Sequence, residues 1–162
     1  VLLMKMRMNI DTHEHCMAFD PATRTGFAYR ISGTIVYGAL PFACGRWRDA
    51  TQSAYEHGVR NVIIEDAFLG RNARTYGMLK LIQGELVSYL KNVGINNVYI
   101  ASPLEWKCAL FGKHISGKTA SLELARKTLN VARLDHNAAD AICLLLYAER
   151  FKVFSTFKGE QK

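Results

Sequence analysis

The hydrophobic positions of this chain follow two different periods. Five short segments are apolar or alternate in polarity, are bounded by turn-forming residues, and predict β-strands at Cys16–Phe19, Thr25–Ile31, Gly33–Phe42, Asn61–Ile64 and Asn97–Ile100. The first three follow one another through short turns, which predicts an antiparallel meander. The fourth is a compact β-branched run, which is typical of a strand buried on both faces.

Longer segments carry apolar residues three or four positions apart, and they predict helices at Trp47–His57, Asn72–Val93, Leu104–Phe111, Thr119–Leu129 and Asn137–Phe154. One face of the longest helix is formed by Leu79, Ile82, Leu86, Leu90 and Val93. Met78 and Leu81 widen that surface, which is broad enough to contact both the sheet and a partner subunit. In the last helix the core face is formed by Ile142, Leu145 and Leu146.

The order of these elements predicts one α/β domain with a five-stranded mixed sheet, three antiparallel strands plus two parallel ones, flanked by helices. We expect this domain over residues 16–154, an irregular N-terminal extension over residues 1–15 and a C-terminal tail over residues 155–162. A chain of 162 residues that is 49% hydrophobic has the size and composition of a single globular domain.

Composition indicates the cellular compartment, the state of the cysteines and the kind of partner that we expect for this protein. No segment approaches the ~20 apolar residues of a spanning helix or the ~7 to 15 of a secretory signal, so we expect an intracellular protein without a membrane segment. The four cysteines, Cys16, Cys44, Cys108 and Cys143, lack paired spacing, which indicates reduced and mostly buried thiols. A net charge of +7 favours a polyanionic partner, although charge alone does not separate nucleic acid from a membrane surface.

Three acidic residues stand where functional groups of α/β proteins commonly lie. Asp20 and Glu65 each end a predicted strand, and Asp140 lies among alanines in the last helix. Each of the strand-end acids, taken singly, also fits a solvated carboxylate. Together, three carboxylates suit Mg²⁺, a hard ion that prefers oxygen ligands, and a pair of such ions can support phosphodiester hydrolysis.

The order of the motifs around these acids resembles a known family. The motifs are Met17-Ala18-Phe19-Asp20-Pro21 with Thr25-Gly26-Phe27-Ala28, then Val62-Ile63-Ile64-Glu65 with Phe68, and then Ala138-Ala139-Asp140-Ala141. This set is similar to that of the RuvC-type Holliday-junction resolvases of the ribonuclease-H-like superfamily, over Cys16 to Ala148. The resemblance implies a ribonuclease-H-like fold and a cytoplasmic protein of a bacterium or a phage-infected cell.

The same resemblance implies a homodimer that cleaves four-way DNA junctions in recombination and repair, with two Mg²⁺ ions in each active site and Mn²⁺ as an alternative. Asp20, Glu65 and Asp140 then become metal ligands. Lys107 and Lys118 match basic positions near the scissile phosphate, and Phe68 matches an aromatic residue that wedges against bases. The alternative for Phe68 is a loop residue packed on the domain, and the alternative for Lys107 and Lys118 is a side chain that faces only solvent. The further predicted DNA contacts are Arg71, Arg74, Lys113 and His114.

One position departs from the family pattern. An Asp or His often stands three residues before the final acid, whereas this chain has Asn137, preceded by Asp135 and His136. Either Asn137 coordinates the metal through its amide oxygen, or His136 or Asp135 replaces it, or the second metal is held weakly. Asn137 could also be the N-cap of the last helix.

The segment Gly112–Thr119 matches the pattern of a nucleotide-binding P-loop. A true P-loop follows a buried strand, whereas a short helix is predicted before this one, so we expect a basic DNA-contacting loop and no nucleoside triphosphate as partner.

Two alternatives to junction cleavage remain. The first is a ribonuclease-H-like nuclease that acts on forks, flaps or RNA, and the second is a basic DNA-binding module without catalytic activity.

Overall fold

A computed structural model describes residues 15–68, 70, 72–113 and 118–156. Most of the predicted extension over residues 1–15 and of the predicted tail over residues 155–162 lies outside these residues. Within the described part of the chain, no helix has the length and apolar character needed to cross a membrane.

The centre of the fold is one five-stranded sheet, in the order β3-β2-β1-β4-β5. Its strands are β1 (Cys16–Asp20), β2 (Arg24–Ile31), β3 (Thr34–Pro41), β4 (Asn61–Glu65) and β5 (Asn97–Ala101). The first three strands are antiparallel to one another, whereas β4 is parallel to both β1 and β5. The predicted mixed sheet of three antiparallel and two parallel strands is therefore confirmed.

Six helices accompany this sheet in the described residues: α1 (Trp47–Glu56), α2 (Ala73–Val93), α3 (Pro103–Phe111), α4 (Lys118–Leu129), α5 (His136–Arg150) and α6 (Val153–Thr156). A short 3₁₀ turn over Phe42–Cys44, which the periodicity did not predict, joins β3 to α1. The β2–β3 hairpin turns through Ser32 and Gly33, whose φ angles of 47° and 83° match the twist of the flanking strands.

The last predicted helix, Asn137–Phe154, is wrong at its C-terminal end. Helix α5 ends at Arg150, and Lys152 adopts a left-handed φ of 49° that no helix can continue through. After this break, Val153 and Phe154 are buried residues of α6 in the core. Apolar periodicity could not reveal the break, because apolar residues continue on both sides of Lys152.

The two faces of the sheet contact different helices. Ala18, Ala28 and Ile63 pack with Trp106 of α3, Ala125 of α4 and most of α5. On the opposite face, a second cluster joins the alternate strand positions to α1 and α2, through Met17, Phe19, Val62, Ile64, Trp47, Leu86 and Leu90. The alternation of side chains along β1 and β4 therefore directs one set of positions toward α3 and α5 and the other toward α1 and α2.

Cys44, Cys108 and Cys143 are free thiols, as predicted, but the expectation that most cysteines are buried holds for only two of the four. Cys16 and Cys143 lie in the core, where burial raises the pKa of the Cys143 thiol to about 12. Cys44 is exposed on the 3₁₀ turn and Cys108 is half-buried on α3.

Candidate active site

Two of the predicted acids end neighbouring parallel strands. Phe19 of β1 pairs with Ile64 of β4, so Asp20 and Glu65 occupy the next positions along the two strands, at the same edge of the sheet. Because side chains alternate, both acids lie on the face of the sheet that packs against α3 and α5. Asp140 lies on α5, which crosses that face. The fold thus brings the three acids to one end of the sheet.

The start of α5 is fastened to the start of β2. The Asp135 carboxylate caps α5 by accepting hydrogen bonds from the backbone N–H groups of Asn137 and Ala138, at 2.9 and 3.4 Å. It also pairs with Arg24 Nε at 2.9 Å, and Asn137 Nδ2 donates to the Arg24 carbonyl at 2.6 Å. The alternative that Asn137 is the N-cap is therefore wrong, because Asp135 holds that position.

A glycine allows α5 to approach the sheet closely. A Cβ atom added to Gly26 on β2 would lie 2.0 Å from the backbone oxygen of Asn137, which is far inside contact distance. Asp140 lies on the same helix, one turn after Asn137. The absence of a side chain at Gly26 therefore sets how near Asp140 lies to the strand that carries Asp20.

Asp20 is a nearly buried carboxyl, only 8% exposed. Burial raises its pKa well above the ordinary value, and the negative charges of Glu65 and Asp140 raise it further, whereas Lys107 opposes this shift. Among the described residues, no hydrogen bond or ion pair compensates the Asp20 carboxylate. Its ionised form is costly unless a cation is bound nearby.

Glu65 has two partners, both on α3. The Trp106 Nε1–H donates to Glu65 Oε2 at 2.7 Å, and Lys107 Nζ lies 4.0 Å from the same oxygen. Burial raises the pKa of Glu65, Lys107 lowers it, and Asp140 raises it again, with a net upward shift. The Lys107 ammonium also lies 4.8 Å from the centre of the Trp106 ring. Trp106 was missed by sequence reasoning, although a buried indole N–H generally needs an acceptor.

Helix α3 is held in place by the residue next to Trp106. Glu105 Oε1 accepts hydrogen bonds from the hydroxyl groups of Tyr99 on β5 and Tyr147 on α5, at 2.6 and 2.7 Å. The bond to Glu105, together with burial, raises the pKa of Tyr99 to about 12, so this phenol stays protonated at neutral pH. These contacts join α3 to the sheet and to α5, and they fix the position from which Trp106 reaches Glu65.

A second network, also missed from the sequence, lies just beyond β4. Lys80 Nζ and Gln83 Nε2, both on α2, donate to Asp66 Oδ1 at 2.5 and 3.1 Å. Burial opposes ionisation of Asp66, but the hydrogen bonds from Lys80 and Gln83 outweigh it and lower its pKa. This network fastens α2 to the chain segment that immediately follows Glu65.

The three acids supply the kind of donor atom that a hard divalent cation prefers, but they do not form a ready binding site in this structure. Burial and neighbouring negative charges raise the pKa of Asp20 and of Glu65, a bound cation would offset that cost, and carboxylate oxygens are the ligands that Mg²⁺ prefers. In residues 15–68, 70, 72–113 and 118–156, however, no three His, Cys, Asp or Glu side chains stand close enough together to form a ready cation site.

The remaining predicted site residues lie around this end of the sheet or outside the described residues. Phe68 is 73% exposed just after β4, Arg74 is exposed at the start of α2, and Lys113 is exposed after α3. His136 is exposed on the first turn of α5. The structure does not describe Arg71, His114 or the side chain of Lys118. The segment with the P-loop pattern follows helix α3 rather than a strand, as predicted.

The strand order and the helices on both faces define the class of this protein: it has the ribonuclease-H-like fold. Neither a protein-family model nor a curated protein sequence matches the chain. Among solved structures, it is similar to Thermus thermophilus RuvC in complex with a Holliday junction substrate, with a TM-score of 0.72 and 18% identity over 89% of this chain and 98% of that chain.

A second Thermus thermophilus RuvC structure gives a TM-score of 0.65 and 19% identity, over 87% of this chain and 96% of that one. At this identity the similarity establishes the fold. The predicted resemblance to RuvC-type proteins is confirmed at that level, and the activity is argued separately below.

Proposed function

We propose that the protein is a metal-dependent endonuclease that cleaves four-way DNA junctions. The observation that carries the proposal is the placement of Asp20, Glu65 and Asp140 at one end of the sheet, on the face that α5 crosses. A fold that only needed stability would gain nothing from a nearly buried carboxylate beside two others. The similar T. thermophilus RuvC structure contains a Holliday junction substrate, which makes that substrate the first to test.

In this proposal Asp20, Glu65 and Asp140 hold the divalent cations, Mg²⁺ or Mn²⁺, and Asn137 adds a neutral amide oxygen one helical turn before Asp140. Two bound cations would supply an activated water and stabilise the leaving oxygen. Trp106 and Lys107 restrain Glu65 from the side of α3, and Lys107 supplies a positive charge beside the acids.

DNA binding is assigned to the basic residues around the acids. The proposed contacts are Phe68, Arg71, Arg74, Lys107, Lys113, His114 and Lys118. Lysine and arginine contacts to phosphate oxygens position a duplex without selecting its sequence, whereas the exposed Phe68 ring offers an apolar surface to bases at the crossover. Of these residues, Lys107 lies 4.0 Å from Glu65 Oε2, and a phosphate bound to it would lie near the acids.

A homodimer completes the proposal. Leu81 on α2 is 77% exposed and Met78 is 38% exposed, on the side of the helix that faces away from the sheet. Two apolar side chains exposed on one helix face indicate a protein contact, here with a second copy of the chain. Two copies related by a two-fold axis carry two active sites, one for each strand of a symmetric junction.

The decisive experiment is cleavage of a synthetic four-way junction, beside linear, forked and flap DNA and an RNA–DNA hybrid, with Mg²⁺ or with EDTA. We expect the junction to be cut only with Mg²⁺. Asp20→Asn, Glu65→Gln and Asp140→Asn should each lower the rate more than about 100-fold, since even residues that only orient metal ligands are typically worth 10- to 100-fold. Binding should remain or strengthen, because each change removes a negative charge facing phosphate.

Asp49→Asn on α1 is the matched control, because it neutralises an exposed acid far from the site in the fold. Cleavage by any one of the three site variants at the rate of Asp49→Asn removes that residue from the proposed site. Faster cleavage of flaps or hybrids than of junctions favours the broader nuclease. Junction binding without any cleavage, with Mg²⁺ or Mn²⁺, supports the non-catalytic module instead.

A further inference from the structure

Asp66 lies directly after Glu65, and the two side chains are held from opposite faces of the sheet. The Glu65 carboxylate accepts a hydrogen bond from Trp106 of α3 at 2.7 Å. The Asp66 carboxylate accepts hydrogen bonds from Lys80 and Gln83 of α2, which packs on the other face. Because consecutive side chains of an extended chain point to opposite sides, holding one of them in place also directs the other.

The backbone between these two residues is held as well. The Asp66 N–H donates to the Ala101 carbonyl of β5 at 2.7 Å, which continues the pairing of β4 and β5 just beyond the end of β4. Gln83 Nε2, which donates to Asp66, also lies 3.5 Å from the Glu65 carbonyl oxygen. The peptide unit that joins Glu65 to Asp66 is therefore fastened both to a neighbouring strand and to α2.

Stability alone does not explain this network. Gln83 is only 8% exposed, although every other buried residue of α2 is Ile or Leu. The side chains of Lys80 and Asp66 are 37% and 36% exposed, and solvent screens an ion pair at such exposure, so the pair adds little to stability. The contribution of the network is therefore geometric, because it holds the backbone directly behind Glu65.

We infer that Asp66 is a positioning residue that sets the direction of the Glu65 carboxylate. Lys80 and Gln83 act through Asp66, from the same helix that carries the proposed dimer contact at Leu81. The inference rests on the proposed function in taking Glu65 as part of the active site. The end of β4 is thus held between α2 and α3, and loosening its contact with α2 should misplace Glu65.

The indole N–H of Trp106 reports the position of Glu65 without metal, DNA or cleavage. Trp47 and Trp106 are the two tryptophans of the chain, so Trp47→Phe assigns their indole signals in a proton–nitrogen correlation NMR spectrum. An indole proton that is hydrogen-bonded to a carboxylate resonates downfield of a free one. In Asp66→Ala the Trp106 proton should shift upfield, because Glu65 is no longer held at hydrogen-bonding distance from it.

Glu85→Ala is the matched control. Glu85 lies on the same helix, and its carboxylate forms a half-exposed ion pair with Arg48 of α1 at 2.5 Å, the same separation as in the Lys80 pair. This variant should leave the Trp106 signal unchanged. Lys80→Met should reproduce the upfield shift, whereas Lys80→Arg, which can still donate to Asp66, should keep the wild-type signal. Thermal unfolding checks that all the variants are folded.

Junction cleavage is then measured on the same proteins. Asp66→Ala should lower kcat about 10- to 100-fold, as for other residues that orient a metal ligand, while the KM for the junction should not rise. An unchanged Trp106 signal in Asp66→Ala overturns the inference, and so does an equal shift in Glu85→Ala. If the signal shifts as expected but the wild-type chain cuts no junction, the link from Asp66 to Glu65 is supported and the proposed function is contradicted.

Discussion

At the scale of single residues, Trp106 is the side chain on which the position of Glu65 most depends. Trp106→Phe keeps a six-membered aromatic ring in the core and removes the pyrrole part of the indole, with the N–H that donates to Glu65 Oε2. We expect junction cleavage to fall about 10- to 100-fold and the Mg²⁺ concentration for half-maximal rate to rise, because a freed carboxylate is less well placed to hold a cation. Mg²⁺ titration of the cleavage rate measures both effects.

Trp47→Phe is the control for this change, since Trp47 is also fully buried and its N–H donates to the Phe42 carbonyl in the other core cluster. Both variants should lose about 1 kcal/mol of stability from the missing hydrogen bond, and a further amount from the space that the smaller ring leaves in the core. If Trp106→Phe requires no more Mg²⁺ than Trp47→Phe does, Trp106 has only a structural role.

Sequence reasoning found the acids but not the residues that hold them. Asp20 and Glu65 are visible because each directly follows an apolar run, which is a local signal. Trp106 is separated from Glu65 by 41 positions, and nothing near it in the sequence indicates its acceptor. The same holds for Arg24 and Asp135, which are 111 positions apart. Contacts of this kind depend on how the elements pack, which no local pattern encodes.

At the scale of elements, the approach of α5 to β2 is the contact most sensitive to a single methyl group. Gly26→Ala would place a Cβ 2.0 Å from the Asn137 backbone oxygen, so helix and strand must separate. We expect a loss of about 1 to 3 kcal/mol in the free energy of unfolding, measured by urea titration. Junction cleavage should also fall, because Asp140 moves away from Asp20 with its helix.

Gly38→Ala serves as the comparison for this element contact. Its added Cβ would meet only the Phe27 ring, at 2.8 Å, and a side chain can rotate or shift where a backbone carbonyl cannot. The loss of stability should therefore be smaller than for Gly26→Ala, and cleavage should be retained. Equal losses in the two variants would show that the contact between α5 and β2 is not specially restrictive.

Element types were predictable from the sequence and element ends were less so. Each predicted strand and helix overlaps an observed element, since its apolar period is carried by residues that are buried against the sheet. The exception is the C-terminal helix, which breaks at Lys152 because a left-handed residue leaves no trace in an apolar pattern. The 3₁₀ turn at Phe42–Cys44 was missed because three residues carry no detectable period.

At the scale of the whole molecule, the exposed face of α2 makes a prediction about assembly. Leu81→Glu places a charge at a side chain that is 77% exposed, so the fold of the single chain should be unaffected. We expect the wild-type chain to sediment as a dimer at tens of micromolar and the variant as a monomer, since a charge opposes burial in an interface. The monomer should no longer make paired cuts in a junction.

Gln52→Glu adds the same charge to an exposed position on α1 and should leave the dimer intact. Sedimentation velocity and the junction assay are performed on all three proteins together. A wild-type chain that is monomeric at these concentrations and still makes paired cuts would exclude the proposed role of α2.

The sequence alone says least about the binding partner and the assembly of the whole molecule. A net charge of +7 predicts a polyanionic partner, but charge does not identify which one. The likeness to RuvC structures adds a fold at 18 to 19% identity and leaves the substrate to experiment. The sequence predicted a partner contact from the wide apolar surface of α2, but which residues of that helix are exposed became known only from the structure.

Under the proposed function, a cation bound beside Asp20 would also stabilise the folded chain, because Asp20 is crowded by two other carboxyl groups. Because the pKa of Asp20 is higher in the folded chain than in the unfolded one, its ionisation lowers stability as pH rises through the folded-state pKa. A divalent cation that binds the folded chain and not the unfolded one raises the free energy of unfolding by RT ln(1 + [L]/Kd). The cation supply of the surroundings would then control how much of this chain is folded, besides how fast it works.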